Sequence, residues 1–310
     1  MADTPQAPPG ARSLVSQRAT PDALIVGHLT RDLVDGGWRL GGPSLYAART
    51  ASLRGLRVAV VTSASTDVAA AARAALPGVA LRVIPSPKST TFENLYHDGG
   101  RRQFLRAIAT PLRARDIPSA WRAAPIALLA PVAQELDPSI AAALRSATLG
   151  IAPQGWLRAW DEQGRVRPTP LSPAARALLA SCSSVILSCD DLTGPGAAPD
   201  ALAQAEQTLR EWAARAPCLV VTHGREGADL WRDGRTELFP AFPAREVDPT
   251  GAGDVFAMTL LCALADGATP EMAMTEASQV AALSVEGIGM TAIPTPDAAR
   301  AHFTALHRGA

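Results

Sequence analysis

Six short runs of almost uninterrupted apolar residues constrain the fold of this 310-residue chain more than any other feature. They are ALIVGH (23–28), LRVAVVTS (56–63), IALLA (126–130), ATLGIA (147–152), SSVILS (183–188) and CLVVT (218–222). Strands without polar alternation are covered on both faces, as in a parallel sheet between two layers of helices. Helical segments lie between them, near residues 43–54, 66–76, 138–146, 172–181 and 198–214. We therefore predict an α/β, doubly wound and mostly parallel sheet.

Two segments interrupt this alternation. Residues 31–42 (RDLVDGGWRLGG) contain Asp-Gly and Gly-Gly turn signals, and residues 89–107 have β-prone arms around Asp98-Gly99-Gly100. Such turns between alternating arms are typical of hairpins. Neither segment is apolar enough for the core, so we predict a small β-lid over the ends of the strands. The prediction is one domain over residues 21–310 with these two segments inserted.

Composition excludes some partners. The chain is 47% hydrophobic and its formal net charge is zero, whereas nucleic-acid binding draws on a basic face. No apolar run approaches the roughly 20 residues of a membrane span. We therefore expect neither nucleic acid nor membrane as a partner.

Two features bear on the cellular compartment. Residues 1–20 lack the continuous apolar stretch of a secretory signal, and we expect them to form a disordered tail. Cys182, Cys189, Cys218 and Cys262 form no Cys-x-x-Cys pair and are expected to be reduced, buried side chains. Both observations favour the cytoplasm.

The segment VDPTGAGDVF (247–256) carries the chemistry. Its glycines enter an apolar segment that is predicted to be a buried helix ending at Gly267. The first N–H groups of a helix lack internal partners, so small residues there let an anion approach the backbone without a lysine. A carboxylate beside such a site repels a resting phosphate, yet it suits a base that deprotonates an attacking hydroxyl. Asp254 is either that base, kept ionised by the helix N-terminus, or only a helix cap.

The complete run resembles the C-terminal signature of the ribokinase-like (PfkB) carbohydrate kinases. Three further stretches carry the resemblance: VGHLTRD (26–32), LGGPSLYAARTASLRGLRVAVVTS (40–63) and THGREG (222–227). It extends from residue 22 to about residue 300, and it implies a ribokinase-like fold and a kinase activity that uses ATP and Mg²⁺. It leaves open whether a monovalent cation is also required.

The resemblance also implies roles for individual residues. Asp254 corresponds to the catalytic base, and Asp32 accepts hydrogen bonds from substrate hydroxyls. The other implied residues bind the reactants. Gly251, Ala252 and Gly253 form an anion hole, and Gly41 and Gly42 let the substrate lie close to the backbone. The nucleotide is bound by Ser188, Thr222, Gly224 and Gly227.

The chain departs from the ribokinase pattern at two places. Tyr46 stands where many relatives have an asparagine that bonds the sugar, which puts ribose in doubt. Ser188 and Asp191 stand in place of an Asn-x-x-Glu motif that helps to hold hydrated magnesium, and Asp191 can order magnesium-bound water. The alternative is that Asp191 belongs to a solvated acidic loop without a function in metal binding.

Other stretches resemble the myo-inositol kinase branch, among them TTFENLYHDGGRRQFLRA, APVAQELDP (130–138) and APQGWLR (152–158). In that branch polar side chains from the lid and from the central strand ends meet the ring hydroxyls. Gln154 and Arg158 are the candidates here, and the alternative is that they are loop residues with local hydrogen bonds. Glu135 is either a pocket acid or, as we prefer, the cap of the helix beyond Pro138. Arg101, Arg102 and Arg106 either clamp an anionic substrate or form the solvated outer face of the lid, and we prefer the second interpretation.

The leading hypothesis is ATP-dependent phosphorylation of a hydroxyl of a small polyol or sugar, with a cyclitol such as myo-inositol as the preferred substrate. Nucleosides, ketoses and sugar acids are the alternatives, as is a non-catalytic sensor on the same fold. A dinucleotide-dependent oxidoreductase is disfavoured, because its glycine fingerprint belongs just after the first strand. Exposed lid edges, which relatives often pair, favour a homodimer through the lid.

Overall fold

The structure, a computed structural model, describes residues 19–97, 100–194 and 196–309. The tail predicted for residues 1–20 lies outside these ranges except for its last two residues, as does the turn at residues 98–99. The strands are β1 (Ala23–Val26), β2 (Thr30–Val34), β3 (Gly37–Gly41), β4 (Val58–Ala64), β5 (Ala80–Pro85), β6 (Thr90–His97), β7 (Gly100–Ala107), β8 (Ile126–Leu129), β9 (Thr148–Ile151), β10 (Arg158–Trp160), β11 (Val166–Pro168), β12 (Ser184–Ser188), β13 (Leu219–Thr222), β14 (Ala228–Arg232) and β15 (Arg235–Phe239). The α-helices are α1 (Pro43–Leu53), α2 (Thr66–Ala75), α3 (Pro173–Ala177), α4 (Asp190–Thr193), α5 (Pro199–Ala213), α6 (Ala252–Ala265), α7 (Pro270–Ser284) and α8 (Pro296–Gly309).

The main sheet has nine strands in the order β15-β14-β13-β12-β9-β8-β1-β4-β5. The strands from β12 to β5 in this order run parallel, β13 is parallel to β12, and β14 and β15 are antiparallel additions at one edge. Every residue of β1, β4 and β8 is buried, as expected for strands covered on both faces. Separate apolar clusters fill the two faces, one with α1, α6 and α7 and the other around Trp121 and Trp212. The predicted α/β, mostly parallel sheet is confirmed.

The order of the strands creates a crevice at the centre of the sheet. The chain proceeds from β1 to β4 and β5 on one side, and then to β8, β9 and β12 on the other. Ligands of doubly wound sheets bind at such a switch point, outside the carboxyl ends of the strands. Gly27 follows β1 here, and a Cβ atom on it would collide with the carbonyl oxygen of Ala130 after β8.

The two lid segments form a second sheet of four strands in the order β3-β2-β6-β7. β2 is antiparallel to β3 and parallel to β6, and β6 pairs with β7 as a hairpin. A small β10–β11 hairpin extends this sheet through a bridge between Phe104 and Arg165. Because β1 leads directly into β2, the lid is anchored at the carboxyl edge of the main sheet.

One predicted helix is wrong in type. Residues 138–146 form only a 3₁₀ helix, Pro138–Ala143. Leu144 is already extended, and the Arg145 N–H donates to the carbonyl of Arg122 (2.8 Å), so the segment turns toward a neighbouring loop before an α-helix can form. The buried helix predicted to end near Gly267 is confirmed as α6, and α7 follows it with the side chain of Thr269 as its cap.

In the part of the chain that the structure describes, no helix is both long and apolar enough to cross a bilayer. The four cysteines are free thiols, and three of them are buried, with Cys189 partly exposed.

Candidate active site

A cleft of about 1500 Å³ lies between the carboxyl edge of the main sheet and the inner face of the lid. Fourteen of the residues that the sequence singled out line it: Asp32, Gly42, Tyr46, Gln154, Arg158, Ser188, Asp191, Thr222, Gly224, Gly227, Gly251, Ala252, Gly253 and Asp254. Gly41 is buried beside them. Residues from both halves of the sequence therefore converge on one site.

Asp254 lies in the first turn of α6, at the floor of the cleft. Gly251 precedes the helix in the left-handed conformation (φ 84°), which favours glycine. A Cβ atom on Gly251 would also collide with the ring of Tyr46. Backbone conformation and packing thus both require a glycine at this position.

The N–H groups around Asp254 are mostly available to a ligand. Among the described residues, those of Gly251, Gly253 and Asp254 have no hydrogen-bond partner, whereas the N–H of Ala252 donates to the carbonyl of Pro249 (3.2 Å). The predicted anion hole of Gly251, Ala252 and Gly253 therefore needs a correction at Ala252, whose amide closes the turn before the helix. The N–H of Asp254, by contrast, has no partner among the described residues.

The expectation that the helix N-terminus keeps Asp254 fully ionised at neutral pH is wrong. Burial raises the pKa of the Asp254 carboxyl to about 7, and the nearby charge of Asp191 raises it further, while Arg158 opposes the shift. Desolvation disfavours the charged form of a carboxyl group and is the largest cause of this rise. A group with a pKa near 7 is well matched to proton transfer at physiological pH.

Asp191 lies in α4, close enough to Asp254 for their charges to interact. One of its carboxylate oxygens accepts the backbone N–H of Ser188 (2.9 Å) and the other accepts the side chain of Gln154 (3.1 Å). Burial raises the pKa of Asp191 as well, and Arg158 lowers it. The solvated acidic loop considered for Asp191 is wrong, since both oxygens are held by the protein.

Arg158 places a positive charge near these two carboxylates. Its guanidinium donates to the carbonyl of Val132 (3.0 Å) and lies 5.3 Å from the ring centroid of Phe92 in the lid. Arg158 and Gln154 thus line the cleft as predicted, but each also contacts the protein. Gln154 thus positions the carboxylate of Asp191, and the charge of Arg158 lowers the pKa of both carboxyl groups, independently of any contact with the substrate.

Asp32 extends from lid strand β2 into the cleft. One of its oxygens accepts the hydroxyl of Thr30 (3.0 Å), and its carboxylate lies where a Cβ atom of Gly41 would be. Gly42 has φ 94° and packs against the carbonyl of His28. The glycine pair therefore makes room for Asp32 and bends the chain into α1.

Tyr46 lies in α1 beneath the site. Burial raises the pKa of its hydroxyl, and the charges of Asp248, Asp254 and Asp32 raise it further. The Tyr46 hydroxyl is therefore neutral at physiological pH and can donate a hydrogen bond into the cleft.

The other end of the cleft begins at the carboxyl ends of β12 and β13. Ser188, Thr222, Gly224 and Gly227 line it, and a Cβ atom on Gly227 (φ 104°) would collide with the carbonyl of Phe239. Beyond them the walls are apolar, with Ala241, Phe242, Pro243, Ala281 and Val285. The side chain of Arg225 at this end bonds Glu246 (3.0 Å).

The interpretation of Glu135 as a helix cap is wrong. Its buried carboxylate accepts the backbone N–H groups of His28 (3.1 Å), Val132 and Ala133 (2.7 Å). Asp137 caps the following 3₁₀ helix instead, through the N–H of Ser139. Glu135 ties the ends of β1 and β8 together below the site and does not line the cleft.

Sequence reasoning missed two lid residues. Asn94 and Gln103 line the cleft from β6 and β7, and their side chains bond each other across the strands (3.0 Å). The polar–apolar alternation of both strands was the available signal, but it does not say which face meets the cleft. Arg102 is exposed at the rim of the cleft, and Arg106 pairs with Glu93. The side chain of Arg101 lies outside the part of the chain that the structure describes.

The chain is similar to several known carbohydrate kinases. Residues 166–298 match the model of the pfkB family carbohydrate kinases. An inositol 3-kinase from Oryza sativa subsp. japonica is 28% identical over 300 residues, which cover 89% of this chain and 70% of that protein.

Two solved structures share the fold. A pyrophosphate-dependent kinase in the ribokinase family, complexed with a pyrophosphate analog and myo-inositol, superposes with a TM-score of 0.71 at 22% identity, over 86% of this chain and 96% of that one. An Arabidopsis thaliana ribokinase complexed with ribose and ATP superposes with a TM-score of 0.67 at 19% identity, over 91% and 98%. The chain therefore shares its fold with kinases of the ribokinase family, and its C-terminal part, residues 166–298, matches the pfkB family carbohydrate kinases.

Proposed function

We propose that this kinase transfers the γ-phosphoryl group of ATP to a hydroxyl of a neutral cyclitol, with myo-inositol as the preferred substrate. The main support for the proposal is that the carboxylate of Asp254 lies in the same cleft as three N–H groups without a partner among the described residues, those of Gly251, Gly253 and Asp254. The likeness to the rice inositol 3-kinase over most of the chain supports a cyclitol.

The mechanism follows from the position of each group. Asp254 takes the proton of the attacking hydroxyl, and the three N–H groups stabilise the oxygens of the phosphoryl group in transfer. Asp32 accepts hydrogen bonds from other hydroxyls of the substrate, since a carboxylate offers about four lone-pair sites. The lid covers the substrate and excludes water, which limits hydrolysis of the donor.

The donor end of the cleft supports a nucleotide. The walls at this end are apolar and suit a flat purine base; they are formed by Ala241, Phe242, Pro243, Ala281 and Val285. Pyrophosphate has no apolar group that could occupy this space. Arg225 at this end is largely exposed and pairs with Glu246, so it adds little to the binding of a compact tetra-anion. We therefore propose ATP as donor, although three structural neighbours are described as pyrophosphate-dependent.

The carboxylates fit magnesium. In the described residues no group of three or more His, Cys, Asp or Glu side chains could hold a metal by itself. Asp191 and Asp254 nevertheless bring two negative charges together, and both oxygens of Asp191 already accept hydrogen bonds. Asp191 would therefore hold Mg²⁺ through bound water, and the ion would neutralise charge on the donor phosphates. A requirement for a monovalent cation and a homodimer through the lid stay predictions.

The test is a matrix of donors and acceptors. Purified protein is incubated with ATP or pyrophosphate, and with myo-inositol, ribose, fructose, a nucleoside or gluconate, and the phosphorylated product is quantified. We expect kcat/KM to be highest for ATP with myo-inositol. A higher value for any other acceptor contradicts the cyclitol assignment, and turnover with pyrophosphate but not ATP contradicts the donor assignment.

A further inference from the structure

The ring of Tyr46 packs against the glycine that precedes the catalytic helix. Tyr46 lies in α1 and Gly251 lies immediately before α6, and both helices belong to the same apolar cluster on one face of the main sheet. A Cβ atom on Gly251 would collide with Tyr46, and the three atoms nearest to it all belong to the Tyr46 ring. The ring therefore fills the space that a side chain at position 251 would need.

Hydrogen bonds do not hold the peptide that joins Thr250 to Gly251. Among the described residues, neither the carbonyl of Thr250 nor the N–H of Gly251 has a hydrogen-bond partner. The peptides on either side are fixed, since the N–H of Thr250 donates to Oδ1 of Asp248 (3.0 Å) and the N–H of Ala252 to the carbonyl of Pro249 (3.2 Å). Gly251 also lacks the Cβ atom that confines other residues to negative φ. Packing against the Tyr46 ring is thus the contact that limits rotation of this peptide.

The orientation of this peptide matters for the transfer of a phosphoryl group. The N–H of Gly251 is one of the three groups proposed above to stabilise the phosphoryl oxygens. Rotation of the peptide by half a turn would exchange that N–H with the carbonyl oxygen of Thr250, which repels those oxygens. Loss of one such donor costs an enzyme about a hundredfold to a thousandfold in kcat.

The hydroxyl of Tyr46 has surroundings different from those of its ring. Burial raises the pKa of the hydroxyl, and the charges of Asp248, Asp254 and Asp32 raise it further, so the group is a neutral phenol among carboxylates. The atoms nearest to Gly251 are the ring carbons Cγ, Cδ1 and Cε1 and not the hydroxyl oxygen. Any support of Gly251 therefore comes from the ring.

We propose that Tyr46 is a positioning residue whose ring holds the Thr250–Gly251 peptide with its N–H toward the transferred phosphoryl group. The inference rests on the proposed kinase activity, because it assigns a support to one of the three N–H groups of that mechanism. The ring acts through Gly251, and the hydroxyl is dispensable for the chemical step.

Steady-state kinetics separate the ring from the hydroxyl. Tyr46→Phe keeps the ring, whereas Tyr46→Leu removes it. The matched control is Leu45→Ala, because Leu45 is buried in the same helix and does not line the cleft. With ATP and myo-inositol, we expect kcat to fall at least about tenfold in Tyr46→Leu and to stay within about threefold of wild type in Tyr46→Phe and Leu45→Ala. KM for ATP stays within about threefold in all variants, because the lost contact acts on the transition state.

Isotope labelling reports on the peptide itself and needs no turnover. The sequence contains two Thr-Gly pairs, Thr193–Gly194 and Thr250–Gly251, so threonine labelled with ¹³C at the carbonyl and glycine labelled with ¹⁵N give two signals in an HNCO spectrum. Thr193→Ser removes the first signal and thereby assigns the second. We expect one sharp Gly251 signal in wild type, Tyr46→Phe and the control. In Tyr46→Leu we expect this signal to be broadened or doubled, while that of Gly194 is unchanged.

These measurements distinguish failure of this inference from failure of the proposed function. A Gly251 signal in Tyr46→Leu identical to that of wild type would refute the inference while the kinase activity stands. Equal loss of kcat in Tyr46→Phe and Tyr46→Leu would assign the effect to the hydroxyl and would also overturn it. If wild-type protein phosphorylates no acceptor, the proposed function is wrong, yet a broadened Gly251 signal in Tyr46→Leu still supports the role of the ring. Should Tyr46→Leu not fold, Tyr46→Met replaces it in both measurements, since a flexible thioether side chain fills the space without a flat ring.

Discussion

Asp254 is the residue at which two opposing electrostatic effects meet. The N-terminus of α6 favours the charged carboxylate, whereas burial and the charge of Asp191 favour the neutral acid. Burial prevails, and the pKa rises from 3.8 to about 7. A carboxyl with this pKa is a stronger base than an exposed aspartate and is still half ionised at neutral pH.

The first prediction concerns the pH dependence of catalysis. Only the ionised form of Asp254 accepts a proton, so kcat/KM should fall about tenfold per pH unit below about pH 7 and level off above it. Initial rates at saturating donor between pH 5 and pH 9 measure this profile. A profile that stays flat down to pH 5 would contradict the role of Asp254 as base.

The second prediction concerns stability at the same residue. Between pH 3.8 and about 7 the native state holds the Asp254 proton and the unfolded state does not, so the free energy of unfolding falls as pH rises through this window. Asp254→Asn removes this contribution. The free energy of unfolding of the variant minus that of wild type should therefore be higher at pH 8 than at pH 5, as measured by urea unfolding at both pH values. An equal difference at both pH values would contradict the raised pKa.

Among the elements, the lid strand β3 fixes the position of the Asp32 carboxylate, which is proposed to bind the substrate. The third prediction is that Gly41→Ala raises KM for the acceptor about tenfold or more, because the added methyl group displaces the Asp32 carboxylate. Gly37→Ala in the same strand is the matched control, since a Cβ atom there meets no other atom within 4 Å. Steady-state kinetics of the two variants measure the effect, and equal KM values would contradict the placement of Asp32.

Individual elements also show which features could be predicted from the sequence and which could not. The apolar runs predicted the central strands, and the Gly-Ala-Gly-Asp run predicted the start of α6, because both depend on local pattern. The pKa of Asp254 depends first on its burial and then on the charges of Asp191 and Arg158, which are distant in sequence, so no local pattern could predict it. The Asn94–Gln103 pair was missed for a similar reason: a polar residue in an alternating strand faces either water or a ligand, and only the register decides.

At the scale of the whole molecule, Glu135 links the two central strands on which the site is built. A helix cap was the natural local interpretation of an acid before Asp137-Pro138, but the carboxylate instead binds three backbone N–H groups around the switch point. These groups would lack partners without it. Fold stability and the geometry of the cleft therefore depend on the same buried charge.

The fourth prediction is that Glu135→Gln lowers the free energy of unfolding by about 3 kcal/mol, since the side-chain amide turns a donor toward backbone donors. Glu162→Gln is the control, because Glu162 is exposed in the β10–β11 turn. Urea unfolding of both variants measures the difference. A change below about 0.5 kcal/mol at Glu135 would contradict its role.

The role of Asp254 as catalytic base is tested by comparing wild-type protein with Asp254→Asn in the phosphorylation of myo-inositol by ATP. We expect kcat to fall about a thousandfold while the dissociation constant of ATP, measured by calorimetry, changes little, because the base acts on the hydroxyl and not on the donor. Turnover by the variant within tenfold of wild type would contradict the central claim that Asp254 is the catalytic base.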